Sequence, residues 1–157
     1  MKKIFMFFLL FIILSGTIYI INNPFYYNSD YWKDIGIQGS HLYSDIVINK
    51  GQPQEIKSID NENIVSYGDL QFVWYNTDLH GVFVRAEIVD NTILIGRKKL
   101  SIGSSKTEVR NAYNSIFIKD IKDLPENCIG YIDKGVYVIY FFDDSDNVEK
   151  ITLSYSI

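Results

Sequence analysis

Two stretches of this chain open in the same way, and that repetition constrains the fold more than any other feature. "IGIQGSHLYSDIVINKGQP", Ile35 to Pro53, and "LSIGSSKTEVRNAYN", Leu100 to Asn114, each place an Ile-Gly pair and a Ser ahead of apolar residues at helical spacing. In the second stretch Ser105-Lys106-Thr107-Glu108 fits a capping box, in which the Ser and Glu side chains satisfy free N–H groups of the first turn. Val109, Ala112, Tyr113 and Ile116 then fall at i, i+3, i+4 and i+7, one apolar stripe. In the first, Gly39-Ser40 precedes Leu42, Ile46 and Val47. Lys50-Gly51-Gln52-Pro53 supplies a C-terminal Gly cap and a Pro stop. The two stretches align with a one-residue insertion.

The segments after the two helices are also alike. "IVSYGDLQFVWYNTDLHGVFVRAEIV" and "CIGYIDKGVYVIYFFDDSDNVEKITLSY" each give a Tyr-led strand, a short turn, a long aromatic strand, a polar turn and a closing alternating strand. Gly68-Asp69, Asp133-Lys134-Gly135 and Asp143 to Asn147 carry hairpin chemistry. Twelve Tyr and ten Phe favour strands. The expected fold class is therefore α+β: two tandem helix–strand–strand–strand repeats, 35–96 and 99–157, with antiparallel meander sheets.

Alternation along these strands separates two faces. Leu70, Phe72 and Trp74, with Val82, Val84, Ala86 and Ile88, point inward. Gln71, Val73 and Tyr75, with Phe83, Arg85 and Glu87, point outward. The strand Val136–Phe141 is apolar on both faces, so its second face is expected to be covered, by the other half of the chain or by a partner.

The N-terminus reads "MKKIFMFFLLFIILSGTIYIINNPF". Two lysines precede an uncharged apolar run, Ile4 to Ile21, close to the ~20 residues that span a bilayer as a helix. The run is longer than a signal-peptide core and no A-x-A site comes after it. This predicts an uncleaved signal anchor over 1–22, with a cleaved signal peptide as the alternative. Lys2 and Lys3 would keep the N-terminus cytoplasmic, giving a single-pass cell-membrane protein with its C-terminal domain extracytoplasmic. Residues 23–34 would be a tether, and Tyr19, Tyr26, Tyr27 and Trp32 an interfacial belt. "LSGT" resembles a lipoprotein box with Thr17 where the lipid-bearing Cys would stand, which removes lipid attachment there.

Formal charge is −4, and more negative once Lys2 and Lys3 are set aside. With no basic run, nucleic acid is not an expected partner. Cys128 is the single cysteine, so no intrachain disulfide or Cys-based metal site can form; its apolar setting predicts a buried structural thiol. His41 and His80 lack a second His at ligand spacing, and no G-x-S-x-G is present. Asp143, Asp144 and Asp146 cluster in a loop without the length or the Gly and Glu of an EF-hand, which reads as a hairpin turn. "GRKKLS" reads as an exposed linker. No cofactor, metal or catalytic residue is expected.

Ile102-Gly103-Ser104 leading into Thr107-Glu108-Val109, and Gly39-Ser40 leading to Gly51-Gln52-Pro53, resemble the helix-opening pattern of tandem α/β proteins of the β-lactamase inhibitor protein fold. The SmpA/OmlA-type outer-membrane assembly lipoproteins share the half-unit. The likeness spans roughly 35–157, and the second copy lacks the closing Gly-x-Pro. It implies a binding or scaffolding protein outside the cytoplasm, not an enzyme. "YGDLQFVW" is also similar to strands of small bacterial proteins, some associated with toxin immunity. The leading expectation is a membrane-anchored, non-catalytic protein-binding module acting through an aromatic-rich sheet face: Tyr75, Phe83, Arg85, Glu87, Tyr137 and Phe141. The alternative is a toxin-immunity or inhibitor protein.

Overall fold

A computed structural model of the chain describes residues 30–37, 42–75, 79, 84–96, 98–114 and 118–155. Chain order gives helix α1 (Asp30–Asp34), helix α2 (Tyr43–Lys50), then strands β1 (Glu55–Ile59), β2 (Glu62–Tyr67), β3 (Leu70–Tyr75) and β4 (Arg85–Ile88). Helix α3 (Lys106–Ala112) and strands β5 (Lys119–Asp120), β6 (Cys128–Asp133), β7 (Val136–Phe142) and β8 (Val148–Tyr155) complete it.

All eight strands form one sheet in the order β1-β2-β3-β4-β8-β7-β6-β5. Every pairing is antiparallel. This corrects the expected fold class. The protein is mostly β, with three short helices among the described residues, and it is not a tandem of helix–strand–strand–strand units with separate sheets. Two strands were missing from that expectation, β1 and β5. The larger error concerns how the halves meet. They do not pack face to face; β4 pairs edge to edge with β8, Ala86 opposite Leu153 and Ile88 opposite Ile151. Pairing these two strands removes two exposed edges at once, each of which would otherwise present unpaired backbone groups.

Local chemistry accounts for the turns. Lys134 and Gly135 both have positive φ, 50° and 75°, the requirement of the two-residue hairpin turn between β6 and β7. Between β7 and β8, Asp143 Oδ1 accepts from the N–H groups of Ser145 (2.9 Å) and Asn147 (2.8 Å). The acidic loop is thus a side-chain-closed turn.

The helices all lie on one face. Trp32 of α1 packs on Tyr155 with ring centroids 4.9 Å apart, Tyr43 of α2 meets Trp74 at 6.0 Å, and Tyr113, capping α3, stacks on Tyr131 at 4.3 Å. Pairing register puts Trp74, Tyr155 and Tyr131 on the same side as Val65, Phe72, Ala86, Leu153 and Val138. Those five, with Ile46 and Val109 from the helices, are fully shielded and form the core. Ser105 and Glu108 make the full capping box at α3, and Gly51 caps α2.

Trp32 is 2% exposed and Tyr31 1%, so Trp32 is a core residue and not part of an interfacial belt. Among the described residues no helix is long and apolar enough to cross a membrane; the longest, α2, has eight residues. The apolar run Ile4 to Ile21 lies outside the described residues. The signal anchor, the membrane as partner and the single-pass cell-membrane location are therefore withdrawn.

Candidate functional site

Antiparallel register decides which side chains share the second face of the sheet. Lys57, Ile64, Val73, Arg85, Ser154, Tyr137 and Ile132 form one row across it, each directly opposite the next. Gln71, Glu87, Thr152 and Ile139 form the neighbouring row. Opposed residues point the same way, so this face is separated from the helix-bearing one along every strand. Among the described residues no helix packs on it.

Of the six residues read from the sequence as a contact surface, five fall together here. Tyr75 lies at the end of β3 and is 57% exposed. Arg85 and Glu87 project from β4, and Tyr137 and Phe141 from β7, all half-buried. Phe83 lies outside the described residues.

The face is held together by charge. Arg85 donates to both carboxylate oxygens of Glu62, Nη1 to Oε1 at 2.7 Å and Nη2 to Oε2 at 2.8 Å, and through Nε to Glu87 at 2.8 Å. Glu62 stands on β2, two strands away, so the Arg85 stem must cross β3 beside its partner Val73. That crossing explains why Val73 is only 1% exposed on a face without a helix. The fork geometry is the strong form of an Arg–carboxylate pair. Its hydrogen bonds hold the Glu62 carboxyl below the usual range and push the Arg85 guanidinium higher still. Glu87 is also 3.8 Å from Lys150 Nζ, and that ammonium sits 4.3 Å from the Phe141 ring centroid. At the far end of the face a Cβ on Gly130 would meet Leu124 Cδ1 at 2.7 Å and Ile121 Cδ1 at 2.9 Å. The β5–β6 connection therefore folds tightly over β6.

Ile139, on the same face of β7 as Tyr137 and Phe141, also belongs to this surface, as do Glu62, Ile64 and Lys150, which were not read from the sequence. Glu62 was legible only through the register of β2 against β3 and β4, which no local pattern states.

An open hollow of about 560 Å³ lies between α3 and the β5–β6 edge, where Arg110, Asn114, Asp120, Cys128 and Tyr131 line it. Cys128 is 8% exposed, and burial pushes its thiol up, away from the nucleophilic thiolate. Burial likewise raises the Tyr131 phenol. Among the described residues of that lining Asp120 is the one carboxylate. His41 and His80 lie outside the described residues, and among the described residues no group of three His, Cys, Asp or Glu could hold a metal ion. In the basic connector Lys99 is ion-paired with Asp34 at 2.5 Å.

No protein-family model and no curated protein sequence matches the chain. Among solved structures the fold is similar to an extracellular protein containing an SCP domain from Bacillus anthracis, with TM-score 0.57 and 12% identity over 82% of this chain and 47% of that one. It is also similar to a cysteine-rich secretory protein from Staphylococcus aureus, with TM-score 0.50 and 11% identity over 71% of this chain and 42% of that one. A DUF4309 family protein from Bacillus subtilis aligns at TM-score 0.47 and 7% identity, over 80% of this chain and 93% of that one. The chain thus spans less than half the length of the first two proteins. At these identities the likeness is one of fold. It corrects the resemblance drawn from the Ile-Gly-Ser openings: the solved structures that share the fold are the SCP-domain protein and the cysteine-rich secretory protein, not the β-lactamase inhibitor protein or SmpA/OmlA-type fold.

Proposed function

We propose that this chain is a non-catalytic protein-binding module that works outside the cell, and that it holds its partner on the helix-free face of the sheet. One observation carries the reading. Helices α1, α2 and α3 all pack on one side of an eight-stranded sheet, and the other side presents Tyr75, Tyr137, Phe141 and Ile139 around the Arg85 cluster. Aromatic residues with Arg are what usually anchor a protein interface, and a sheet face of this width with no described helix on it favours a partner. The extracellular setting is taken from the names of the two similar solved structures.

Within the face, the aromatic side chains are the stronger anchors. Three of the five N–H groups of Arg85 are already spent on Glu62 and Glu87, so that residue shapes the surface more than it reaches outward. A Tyr137→Ala/Phe141→Ala double variant tests the reading by affinity capture against wild type from the medium and cell surface of the host. Loss of the captured partner with unchanged circular dichroism supports it. Undiminished capture overturns it.

A further inference from the structure

The two edges of the sheet are built differently. At one edge β5 has only two residues. At the other, β1 runs for five residues in unbroken register with β2, Glu55 opposite Ser66 through Ile59 opposite Glu62. All five are exposed. Edge strands that must stay unpaired usually carry a bulge, a proline or an isolated charge. Glu55–Ile59 has no bulge and no proline, and its one lysine is neutralised, with Lys57 Nζ 2.8 Å from Glu55 Oε2 along the strand.

Two exposed isoleucines say what would cover this edge. Ile56, 46% exposed, is opposite Val65 and so lies on the helix-bearing face. Ile59, 53% exposed, is opposite Glu62 and lies on the other face. A partner bound to either face of the sheet would shelter one and miss the other. A strand laid alongside β1 shelters both.

We propose that the occupant is β1 of a second copy, paired antiparallel about a two-fold axis through Ile56, so that the sheet continues across a dimer. The sequence is self-complementary in that register. Ile56 faces its own copy, Glu55 faces the partner's Lys57, Lys57 faces the partner's Glu55, and Ile59 comes opposite the partner's Pro53. Two opposite-charge pairs and one apolar pair are the cross-strand combinations that stabilise a sheet. Shifting the axis by one residue, to Lys57 or to Glu55, would set two like charges against each other, so charge disfavours both adjoining registers. A dimer of this kind is isologous and closes on itself, which ends the growth that an open edge invites. The proposal does not depend on the binding face described above.

Charge swapping in the full chain tests it, read by sedimentation velocity across a concentration series. Wild type is expected to dimerise. Glu55→Lys or Lys57→Glu alone should each weaken the dimer by about tenfold or more, since two attractive contacts become repulsive. The double swap Glu55→Lys/Lys57→Glu should restore it. In a Cys128→Ser background, Ile56→Cys should give a disulfide-linked dimer, because opposed Cα atoms about 4.5–5.5 Å apart are within disulfide range. Ser58→Cys should not, lying about 13 Å from its own copy in that register. A monomer at every concentration, a double swap that fails to rescue, or equal cross-linking from positions 56 and 58 would each overturn the proposal.

Discussion

The Tyr31 hydroxyl donates to Asp133 Oδ2 at 2.8 Å, across 102 residues of sequence. It also shares a 3.1 Å hydrogen bond with Tyr113, which in turn is 2.8 Å from the Tyr140 hydroxyl. One buried chain of polar groups thus ties α1, ahead of the first strands, to α3, β6 and β7. Asp133 is 5% exposed, so losing a donor to it leaves a buried carboxyl short of a partner. Tyr31→Phe should lower stability by about 1–3 kcal/mol in urea denaturation, the cost of leaving a buried polar group unsatisfied. An unchanged midpoint would mean that the network contributes nothing.

The same tyrosines set an alkaline limit. Burial raises the phenol pKa of Tyr31, Tyr113 and Tyr140 above the ordinary value. In the unfolded chain these groups lose their protons near pH 10, while in the folded protein they keep them. The folded state then binds more protons than the unfolded one, and stability falls as pH rises. Denaturation midpoints should be flat with respect to these groups between about pH 7 and 9 and drop steadily above about pH 10. Tyr140→Phe should make that drop shallower. A midpoint that stays level through about pH 11 contradicts the burial of these hydroxyls.

Arg85 sets a limit on the acid side. Its hydrogen bonds hold the Glu62 carboxyl below the usual carboxylate range. A depressed acid contributes stability above its unfolded pKa, near 4.3, and loses it as pH falls through the folded value. Arg85→Met should therefore cost about 1 kcal/mol at pH 7, between the values for exposed and fully buried pairs. The difference from wild type should shrink below about pH 4 as Glu62 protonates in both. Parallel stability curves down to about pH 3 would show that the fork does not stabilise the fold.

Gly130 is required by space and not by a turn. A methyl group there meets Leu124 and Ile121 at 2.7 and 2.9 Å, closer than real contacts allow. Gly130→Ala should destabilise by about 1–3 kcal/mol, the usual cost of overpacking. Adding Leu124→Ala should recover part of the loss, because the two changes share one site. Full additivity in the double variant would show that the β5–β6 connection does not rest on β6.

The boundary between legible and hidden features runs along physical lines. Local signals were legible. The capping box at Ser105 and Glu108, the Gly51 stop before Pro53, and the alternation that sorts Tyr75, Arg85, Glu87, Tyr137 and Phe141 onto one face all depend on neighbours a few residues apart. Long-range pairing was not legible. Nothing within Arg85–Ile88 or Val148–Tyr155 states that each is the other's neighbour, so the join of the two meanders into one sheet went unread. Strand β1, "EIKSI", was hidden because an exposed edge strand needs no apolar alternation. Trp32 was misread because aromatics close behind an apolar run resemble a membrane belt, and Tyr31 was not read as core. Only the tertiary contacts with Asp133 and Tyr155 reveal them as core.

Partner binding on the helix-free face, and not on the helix side, can be read directly in the host. A photo-cross-linking amino acid is placed singly at Tyr137, on that face, and at Ile48, 79% exposed on α2. The expected result is an adduct with one protein from position 137 and none from position 48. Adducts from position 48 alone, or none from position 137, would contradict it.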